Sequence, residues 1–315
     1  MKALRIIFMG TPDFAVTTLK TLVDHNYNIV GVITAPDKPA GRGRKLNESA
    51  VKKYAKTKAL NILQPTNLKD STFLDTLKAL NANLQIVVAF RMLPKAVWQM
   101  PDYGTFNLHA SLLPNYRGAA PINWAIINGE TKTGVSTFFI DEKIDTGAMI
   151  LQEEINILPE ENAGSLHDKL MAIGSELVLK TVKQIENDLV VTTPQLDTQD
   201  IKTAYKLNRD NCKIDWTNAI NNIYNQIRGL SPYPAAWCTL INADQQLDVK
   251  IYKASKELVA HNNAIGAILS TKKEMKIAVK EGYINILEIK LPGKRVMDVK
   301  SLLNGYQFEI DAKVL

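Results

Sequence analysis

The chain has 315 residues, of which 46% are hydrophobic and 22% are charged, and its formal net charge is +6 at pH 7. This composition is ordinary for a folded protein with a sizeable core, and the length favours two domains of unequal size. No apolar run is long enough to span a bilayer, and the first one, Leu4 to Met9, is too short for a signal peptide. We therefore expect a cytoplasmic protein without a membrane partner.

The two cysteines, Cys212 and Cys238, have no histidine or second cysteine beside them at ligand spacing. This argues against zinc and against a disulfide framework, so we expect two core thiols and no bound metal. The positive net charge is only a weak indication of an anionic partner, but its distribution is uneven. Between Asp37 and Lys58, eight Lys or Arg residues stand against two acids, so the excess is concentrated near one early loop.

The first half of the chain alternates β-rich apolar runs with segments of helical periodicity. The predicted strands are LRIIFMG, NIVGVITA, LQIVVAF, TFNLHA and GVSTFFI, and the predicted helices cover residues 12–25, 48–59, 72–80 and 120–128. This alternation predicts crossover connections, and so an α/β domain with a doubly wound, mostly parallel, Rossmann-like sheet. An amphipathic helix from Ser165 to about Asn187 closes this domain.

The pattern changes after the long helix. The segment TTPQLDTQDIKT is polar, contains proline and lacks periodicity, which indicates a linker. Beyond it, a helix from Asn218 to Arg228 precedes the short runs AAWCTL, LDVKIYKA, GAILS, MKIAVK and YINILEIKL. Short strands separated by turn residues predict a smaller, OB-like β-barrel. We therefore expect an α/β domain over residues 1–188, a linker over 189–206 and a barrel over 207–315.

The first predicted strand ends in GTPDF, where Rossmann-like folds often carry a glycine-rich phosphate loop. With one glycine the backbone cannot approach a pyrophosphate closely, and Asp13 in the first helical turn would repel an anion. Thr11 is expected to cap the helix, with Pro12 at its first position. A dinucleotide site is therefore not expected here.

The most informative stretch is FNLHASLLPNYRGAAP, residues 106–121, at the carboxyl end of a predicted strand, where doubly wound sheets bind ligands. Asn107 and His109 share one strand face because side chains repeat every second residue. An amide beside an imidazole can stabilise a developing oxyanion. An isolated Asn-x-His pair, however, more often marks a histidine that satisfies backbone groups.

The pair is not isolated. The stretch resembles the signature of the formyltransferases that use 10-formyltetrahydrofolate, in which Asn-x-His is followed by Ser-Leu-Leu-Pro and a glycine. The matching residues are Asn107, His109, Ser111, Leu112, Leu113, Pro114 and Gly118. A further family element, aspartate followed by Thr-Gly, is present as Asp145, Thr146 and Gly147.

The resemblance implies that Asn107, His109 and Asp145 catalyse transfer of a formyl group to an amine. Asn107 and a cationic His109 would stabilise the oxyanion, and Asp145 would hold His109 charged and pass protons through water. The resemblance also implies that the folate lies beside LQIVVAFRMLP and the Ser-Leu-Leu-Pro segment. The implied folate-binding residues are Phe90, Met92, Ser111, Leu112, Leu113 and Pro114. Arg91 departs from the family, which usually has a glycine there, and we expect it to be a solvated loop residue.

The early basic loop APDKPAGRGRKL has its cations at Lys38, Arg42, Arg44 and Lys45. It resembles the loop that formyltransferases acting on methionyl-tRNA insert into the acceptor stem of the initiator tRNA, and Arg42 falls at the family's contact arginine. From Leu207 onwards, 15 basic residues stand against 11 acidic ones, which would suit phosphate contacts by the barrel. The candidates there are Lys250, Lys253, Lys272, Lys273, Lys294 and Arg295.

Three other functions remain open at this level. A formyltransferase for a nucleotide-linked amino sugar would share the same three polar residues and a second domain, but has little use for a basic loop. A glycinamide ribonucleotide formyltransferase would need a phosphate cradle at the position of Asp13. A non-catalytic RNA-binding protein would keep the barrel and the basic loop but not the catalytic set.

Overall fold

The computed structural model describes residues 3–40, 45–196 and 200–315. Its chain divides into two compact units. Unit 1 consists of Met1–Gly118, Thr133–Ile155 and His167–Thr203, and unit 2 consists of Ala119–Lys132, Asn156–Leu166 and Ala204–Leu315. Each unit therefore gathers segments from more than one stretch of the chain. No helix in the described ranges is long and apolar enough to cross a membrane.

Strands and helices alternate through the first part of the chain. In chain order the elements are β1 (Ile6–Gly10), α1 (Asp13–Asp24), β2 (Ile29–Ile33), β3 (Lys38–Ala40), β4 (Lys45–Asn47), α2 (Ala50–Thr57), β5 (Ile62–Leu63), α3 (Ser71–Ala79), β6 (Leu84–Val88), α4 (Lys95–Trp98), β7 (Thr105–His109), β8 (Arg117–Gly118), α5 (Pro121–Ile127), β9 (Lys132–Phe139), β10 (Met149–Asn156) and α6 (Ala163–Glu186).

Strands dominate the remainder. The elements are β11 (Thr203–Ala204), α7 (Ile220–Leu230), β12 (Ala236–Asn242), β13 (Gln245–Leu258), β14 (Ile268–Ser270), β15 (Met275–Val279), β16 (Gly282–Lys290), β17 (Met297–Asp298), α8 (Val299–Leu303) and β18 (Lys313–Val314).

The first of two seven-stranded sheets in the described chain has the strand order β10-β9-β7-β6-β1-β2-β5. The pairs β5–β2, β2–β1, β1–β6 and β6–β7 are parallel, and β9 is antiparallel to β7. Every residue of β1 and β6 is buried, as expected for strands covered on both faces of the sheet. The predicted doubly wound, mostly parallel sheet is confirmed.

The single glycine at the end of β1 has a packing role. A Cβ on Gly10 would lie 2.5 Å from the Cβ of Ala15 on α1, so the helix could not pack this closely against the strand with any other residue. The cap prediction was wrong by one residue. Pro12 is the N-cap of α1, with extended backbone and no side-chain capping hydrogen bond, and the helix begins at Asp13.

The second seven-stranded sheet forms the predicted barrel. Its strands follow the order β14-β15-β16-β13-β12-β18, and β17 pairs with β16. The two ends of this order meet, because the amides of Ile268 and Val314 donate to the carbonyls of Ala312 and Gly266. The interior is filled by apolar residues from every wall and from α7, including Ile223, Leu240, Ile251, Ile277 and Ile286. An antiparallel, nearly closed barrel therefore follows the α/β sheet, as the alternating runs indicated.

Candidate active site

The strand β7 carries two of the predicted catalytic residues on one face. Asn107 is half-buried, whereas His109 at the carboxyl end of the strand is only 6% exposed. Across the antiparallel pair, Asn107 is opposite Phe138 and His109 is opposite Ser136. The Asn107 side chain makes no hydrogen bond within the part of the chain that the structure describes, so its amide is available to a ligand.

The contacts of His109 fix its tautomer. Its Nε2 lies 2.8 Å from the carbonyl oxygen of Tyr116. Because a carbonyl can only accept, Nε2 must carry a proton and donate. Its Nδ1 lies 3.8 Å from Oδ2 of Asp145, a separation that a bridging water or a small polar group can span. Proton exchange by this imidazole is therefore confined to Nδ1, the nitrogen that faces the carboxylate.

Asp145 is held by backbone geometry. It has a φ of 55°, a left-handed conformation that aspartate tolerates better than most residues, and its Oδ2 accepts a hydrogen bond of 2.9 Å from the Gly118 amide. Gly118 itself has a φ of 121°, which favours glycine. A Cβ on Gly147 would lie 1.7 Å from the Phe139 carbonyl oxygen, so the glycine after Asp-Thr is sterically required. Two of the family's glycines thus shape the carboxylate's support.

The sequence analysis did not identify Gln195, which contacts both the strand that contains Gly118 and the loop that contains Asp145. Gln195 accepts hydrogen bonds from Nε and Nη2 of Arg117, at 3.1 and 2.9 Å, next to Gly118. Its Nε2 donates to the carbonyl oxygens of Asp145 and Gly147, at 2.9 and 2.8 Å. It lies in the segment predicted as a linker, where no local pattern distinguishes it. Just before it, Thr193 exchanges two backbone hydrogen bonds with Met149 at the start of β10.

The two segments implied to bind folate follow neighbouring parallel strands. Val88 at the end of β6 pairs with Leu108 of β7, so both segments leave the same edge of the sheet. Phe90 is half-buried, whereas Met92 is 67% exposed. Arg91 is exposed, as expected, but its guanidinium donates to the carbonyl oxygens of Pro65 and Thr66. The arginine at the family's glycine position therefore links this loop to the loop that contains Pro65 and Thr66.

The Ser-Leu-Leu-Pro segment is bonded internally. Ser111 is buried, and its hydroxyl donates to the Asn115 carbonyl at 2.7 Å. Leu113 is also buried, with its amide 3.1 Å from Oγ of Ser136, while Leu112 and Pro114 are half-buried. The hydroxyl of Ser111 is therefore engaged within its own turn, and the apolar side chains and backbone of the segment are what it offers to a ligand.

The early basic loop is only partly within the described residues. Lys38 is exposed on β3, and the backbone of Lys45 pairs with Ala40 in β4, while Arg42 and Arg44 lie outside the described residues. Part of the local positive charge is neutralised within the protein. Lys52 on α2 binds Asp37 and Glu48 at 2.5 and 3.3 Å, and its hydrogen bond lowers the pKa of the Asp37 carboxyl.

Several cations of unit 2 differ in their pairing. Lys276 binds Glu257 at 2.6 Å, and Arg209 pairs with Asp248. Nζ of Lys250 donates to the Pro234 carbonyl at 2.8 Å. The other candidates are exposed and take part in no ion pair between described residues, namely Lys253, Lys272, Lys273, Lys294 and Arg295. Their charges remain available to an anionic partner.

The sequence is similar to known proteins along nearly its whole length. Residues 4–182 match the formyl transferase family, and residues 206–307 match its C-terminal domain, so the chain belongs to the formyl transferase family. The methionyl-tRNA formyltransferase of Flavobacterium johnsoniae is 66% identical over 314 residues, which cover 100% of both chains. The methionyl-tRNA formyltransferase of Bacteroides thetaiotaomicron is 50% identical over 309 residues, which cover 96% of both.

Solved structures show the same fold at low identity. A sugar 3N-formyl transferase, WlaRD, crystallised in the presence of dTDP and 5-N-formyl-THF, has a TM-score of 0.65 and 21% identity, with 94% of this chain and 100% of that chain covered. HypX from Aquifex aeolicus in complex with tetrahydrofolic acid has a TM-score of 0.64 and 16% identity, with 96% of this chain and 47% of that chain covered. Both likenesses concern the fold alone.

Proposed function

We propose that this protein transfers a formyl group from 10-formyltetrahydrofolate to the α-amino group of methionyl initiator tRNA. One observation carries the proposal: a buried His109 of fixed tautomer faces Asp145 at 3.8 Å, beside an unbonded Asn107, in a chain of the formyl transferase family. The identity of 66% with a methionyl-tRNA formyltransferase over the whole chain supports methionyl-tRNA as the acceptor. A role in a step at the start of translation, in the cytoplasm, follows from that acceptor.

The residues at this sheet edge fit a folate formyl donor. The polar side chains here are one amide, one imidazole and one carboxylate. The amide and the imidazole can polarise a carbonyl without a metal. Phe90, Met92 and Leu112 offer apolar surface for a flat ring, Pro114 adds to it, and the buried Leu113 anchors the segment in the core. Ser111 contributes through its backbone, since its hydroxyl is engaged. These six residues form the proposed folate-binding set.

The proposed chemistry depends on stabilising the negative charge that develops on the formyl oxygen. When bound, the folate supplies a formyl carbon whose oxygen becomes negative as an amine attacks. The Asn107 amide donates to that oxygen, and His109 stabilises it as a cation. When Nδ1 is protonated, His109 faces the Asp145 carboxylate as an opposite charge. Because free α-amino groups titrate near ~8, a reactive fraction of the attacking amine is neutral near neutrality without a strong base. As the bond between the folate nitrogen and the formyl carbon breaks, Asp145 passes the proton released by the amine through water to that nitrogen.

The acceptor stem of the tRNA is the proposed target of the segment from Lys38 to Lys45. Its cations Lys38, Arg42, Arg44 and Lys45 would neutralise phosphates and release counterions. The unpaired cations of unit 2 suit the same polyanion. We propose that catalysis belongs to residues 1–188 and tRNA binding by the barrel to residues 207–315, with 189–206 between them.

The amino-sugar alternative has less support. The sugar formyltransferase fold match is 21% identical, whereas the relatives that act on methionyl-tRNA are 50% and 66% identical. A glycinamide ribonucleotide enzyme would need anion-binding groups at the end of β1, where Asp13 stands in the first turn of α1. The intact set of Asn107, His109 and Asp145 disfavours a non-catalytic RNA-binding protein.

The test is an acceptor comparison with the purified protein. With 10-formyltetrahydrofolate and no added metal, we expect formylation of methionyl initiator tRNA and none of a nucleotide-linked amino sugar. Formylation of the sugar alone would overturn the proposal, and tRNA binding without turnover would favour the non-catalytic alternative. We also expect Arg42→Ala to raise the KM for tRNA more than the KM for folate. Equal effects on both would remove the basic segment from tRNA recognition.

A further inference from the structure

We infer that Gln195 is a positioning residue that holds the Asp145 carboxylate in its working orientation toward His109. This inference rests on the proposed formyl transfer. It is drawn from the contacts of one side chain that comes from a segment without any recognisable motif. Gln195 touches neither His109 nor the Asp145 carboxylate in the described structure, so its influence must pass through the backbone.

The amide of Gln195 uses its full hydrogen-bonding capacity. An amide group has two donor hydrogens and two acceptor lone pairs. Here Nε2 donates to the carbonyl oxygens of Asp145 and Gly147, and Oε1 accepts twice from Arg117. Rotating the amide by half a turn would place its oxygen against two carbonyls and its NH2 against a guanidinium. The orientation of Gln195 is therefore unambiguous.

The hydrogen bonds of Gln195 lie beside the two groups that position the Asp145 carboxylate, namely the backbone of Asp145 and the amide of Gly118. Asp145 has a left-handed backbone with a φ of 55°, and its own carbonyl is one of the two that Gln195 binds. Its carboxylate accepts from the Gly118 amide, and Gly118 follows the Arg117 that Gln195 also binds. One side chain thus joins the backbone of Asp145 to the strand β8 that anchors its carboxylate. The hydrogen bond from the Gly118 amide to the Asp145 carboxylate is a second link between the same two chain segments.

The consequence concerns the rate of the chemical step. A misplacement of a catalytic group by about 1 Å can cost on the order of 100-fold in rate. Removing the Gln195 amide should therefore lower kcat while leaving the surfaces that bind folate and tRNA intact. A residue that only stabilises the fold would lower the amount of folded enzyme without changing kcat per folded molecule.

The first test uses Gln195→Met, which keeps most of the side-chain length but has no amide. We expect kcat to fall about 10- to 100-fold, with KM for each substrate within about threefold of the wild type. The matched control is Gln226→Met. Gln226 is also half-buried, and its Nε2 donates to the carbonyls of Asn211 and Lys213 in unit 2, at 3.3 and 2.9 Å. Its loss should leave kcat within about threefold.

The second variant, Gln195→Glu, separates the two sides of the contact. A carboxylate still accepts from Arg117 but cannot donate to the carbonyls of Asp145 and Gly147. We expect kcat to fall at least as far as in Gln195→Met. This variant also decides the matter if Gln195→Met does not fold, which thermal unfolding and circular dichroism would reveal. A Gln195→Glu enzyme with the wild-type kcat would overturn the inference.

The decisive readout is a double-mutant cycle. If Gln195 acts through Asp145, then adding Gln195→Met to Asp145→Asn should lower kcat by no more than about threefold further. Losses that multiply would show that Gln195 acts elsewhere and would overturn the inference. So would a Gln195→Met enzyme with kcat within threefold of the wild type. Failure of the wild-type protein to formylate methionyl-tRNA would instead count against the proposed function, so the two failures are distinguishable.

Discussion

Asp145→Asn separates the charge of the carboxylate from its geometry. In the structure, one oxygen of Asp145 both accepts from the Gly118 amide at 2.9 Å and faces Nδ1 of His109 at 3.8 Å. An asparagine can place its oxygen at that position and keep the Gly118 hydrogen bond. The substitution therefore removes a negative charge while the loop retains its anchor, so the effect on folding should be small.

The size of the kinetic effect follows from Coulomb's law. Two unit charges 3.8 Å apart at an effective dielectric constant of about 20 attract by about 4 kcal/mol. The side chains of His109 and Asp145 are only 8% and 15% exposed, so solvent screens this interaction less than on an open surface. If the cationic state of His109 is needed in the transition state, about 4 kcal/mol corresponds to a loss of about 10³ in kcat.

The assay is the initial rate of methionyl-tRNA formylation at saturating 10-formyltetrahydrofolate. We expect kcat of Asp145→Asn to be about 10³-fold lower, with both KM values nearly unchanged. The matched control is Asp141→Asn in the same loop, because the Asp141 carboxylate accepts from Thr146 and the Lys143 amide. Its kcat should stay within about threefold. A loss of less than tenfold in Asp145→Asn, or one confined to KM, would refute the electrostatic account.

Three other outcomes are expected. Asn107→Ala should lower kcat by about 10²–10³ with an unchanged thermal midpoint, since its amide makes no hydrogen bond among the described residues; a normal rate would remove it from oxyanion stabilisation. Gly147→Ala should lower the free energy of unfolding by about 2–3 kcal/mol, because its Cβ would lie 1.7 Å from the Phe139 carbonyl oxygen. The control Gly305→Ala places its Cβ within 4 Å of no atom, so its thermal unfolding should match that of the wild type. Burial raises the pKa of Cys238 to about 12 and also raises that of Cys212, so both thiols should stay protonated and unreactive toward a thiol reagent at pH 8 until the protein is unfolded; rapid labelling of the native protein would contradict this.

The fold was largely predictable because its signals are local. The buried runs of β1 and β6 and the alternating strands of the barrel each carry their own pattern. Elements without a regular apolar pattern were missed. β10 runs along the edge of the sheet with alternate residues exposed from Gln152 to Asn156, and in its sequence MILQEEIN three of the four apolar residues stand together at the start instead of alternating. The strands β3 and β4 lie in a segment rich in Pro and Gly, where composition indicates only a loop.

Only those site residues that belong to a recognisable sequence motif could be predicted. His109 and Asp145, 36 positions apart in sequence, were brought together by resemblance, and the structure places them 3.8 Å apart. The role of the Tyr116 carbonyl could not be foreseen, because it depends on the turn between β7 and β8. Gln195 was missed for a related reason: its contacts are made with Arg117, Asp145 and Gly147, and nothing in its own neighbourhood in sequence encodes them.

These contacts imply that catalysis and tRNA binding can be perturbed separately. The residues that orient His109 and Asp145, namely Tyr116, Gly118 and Gln195, all belong to unit 1 and act through short, directed hydrogen bonds. The cations proposed for tRNA act through charge, which salt screens, and those whose side chains the structure describes are exposed. Added salt should therefore raise the KM for tRNA steeply while leaving kcat nearly unchanged. If kcat and KM responded to salt together, the charged surface would be contributing to the orientation of the catalytic groups as well as to affinity.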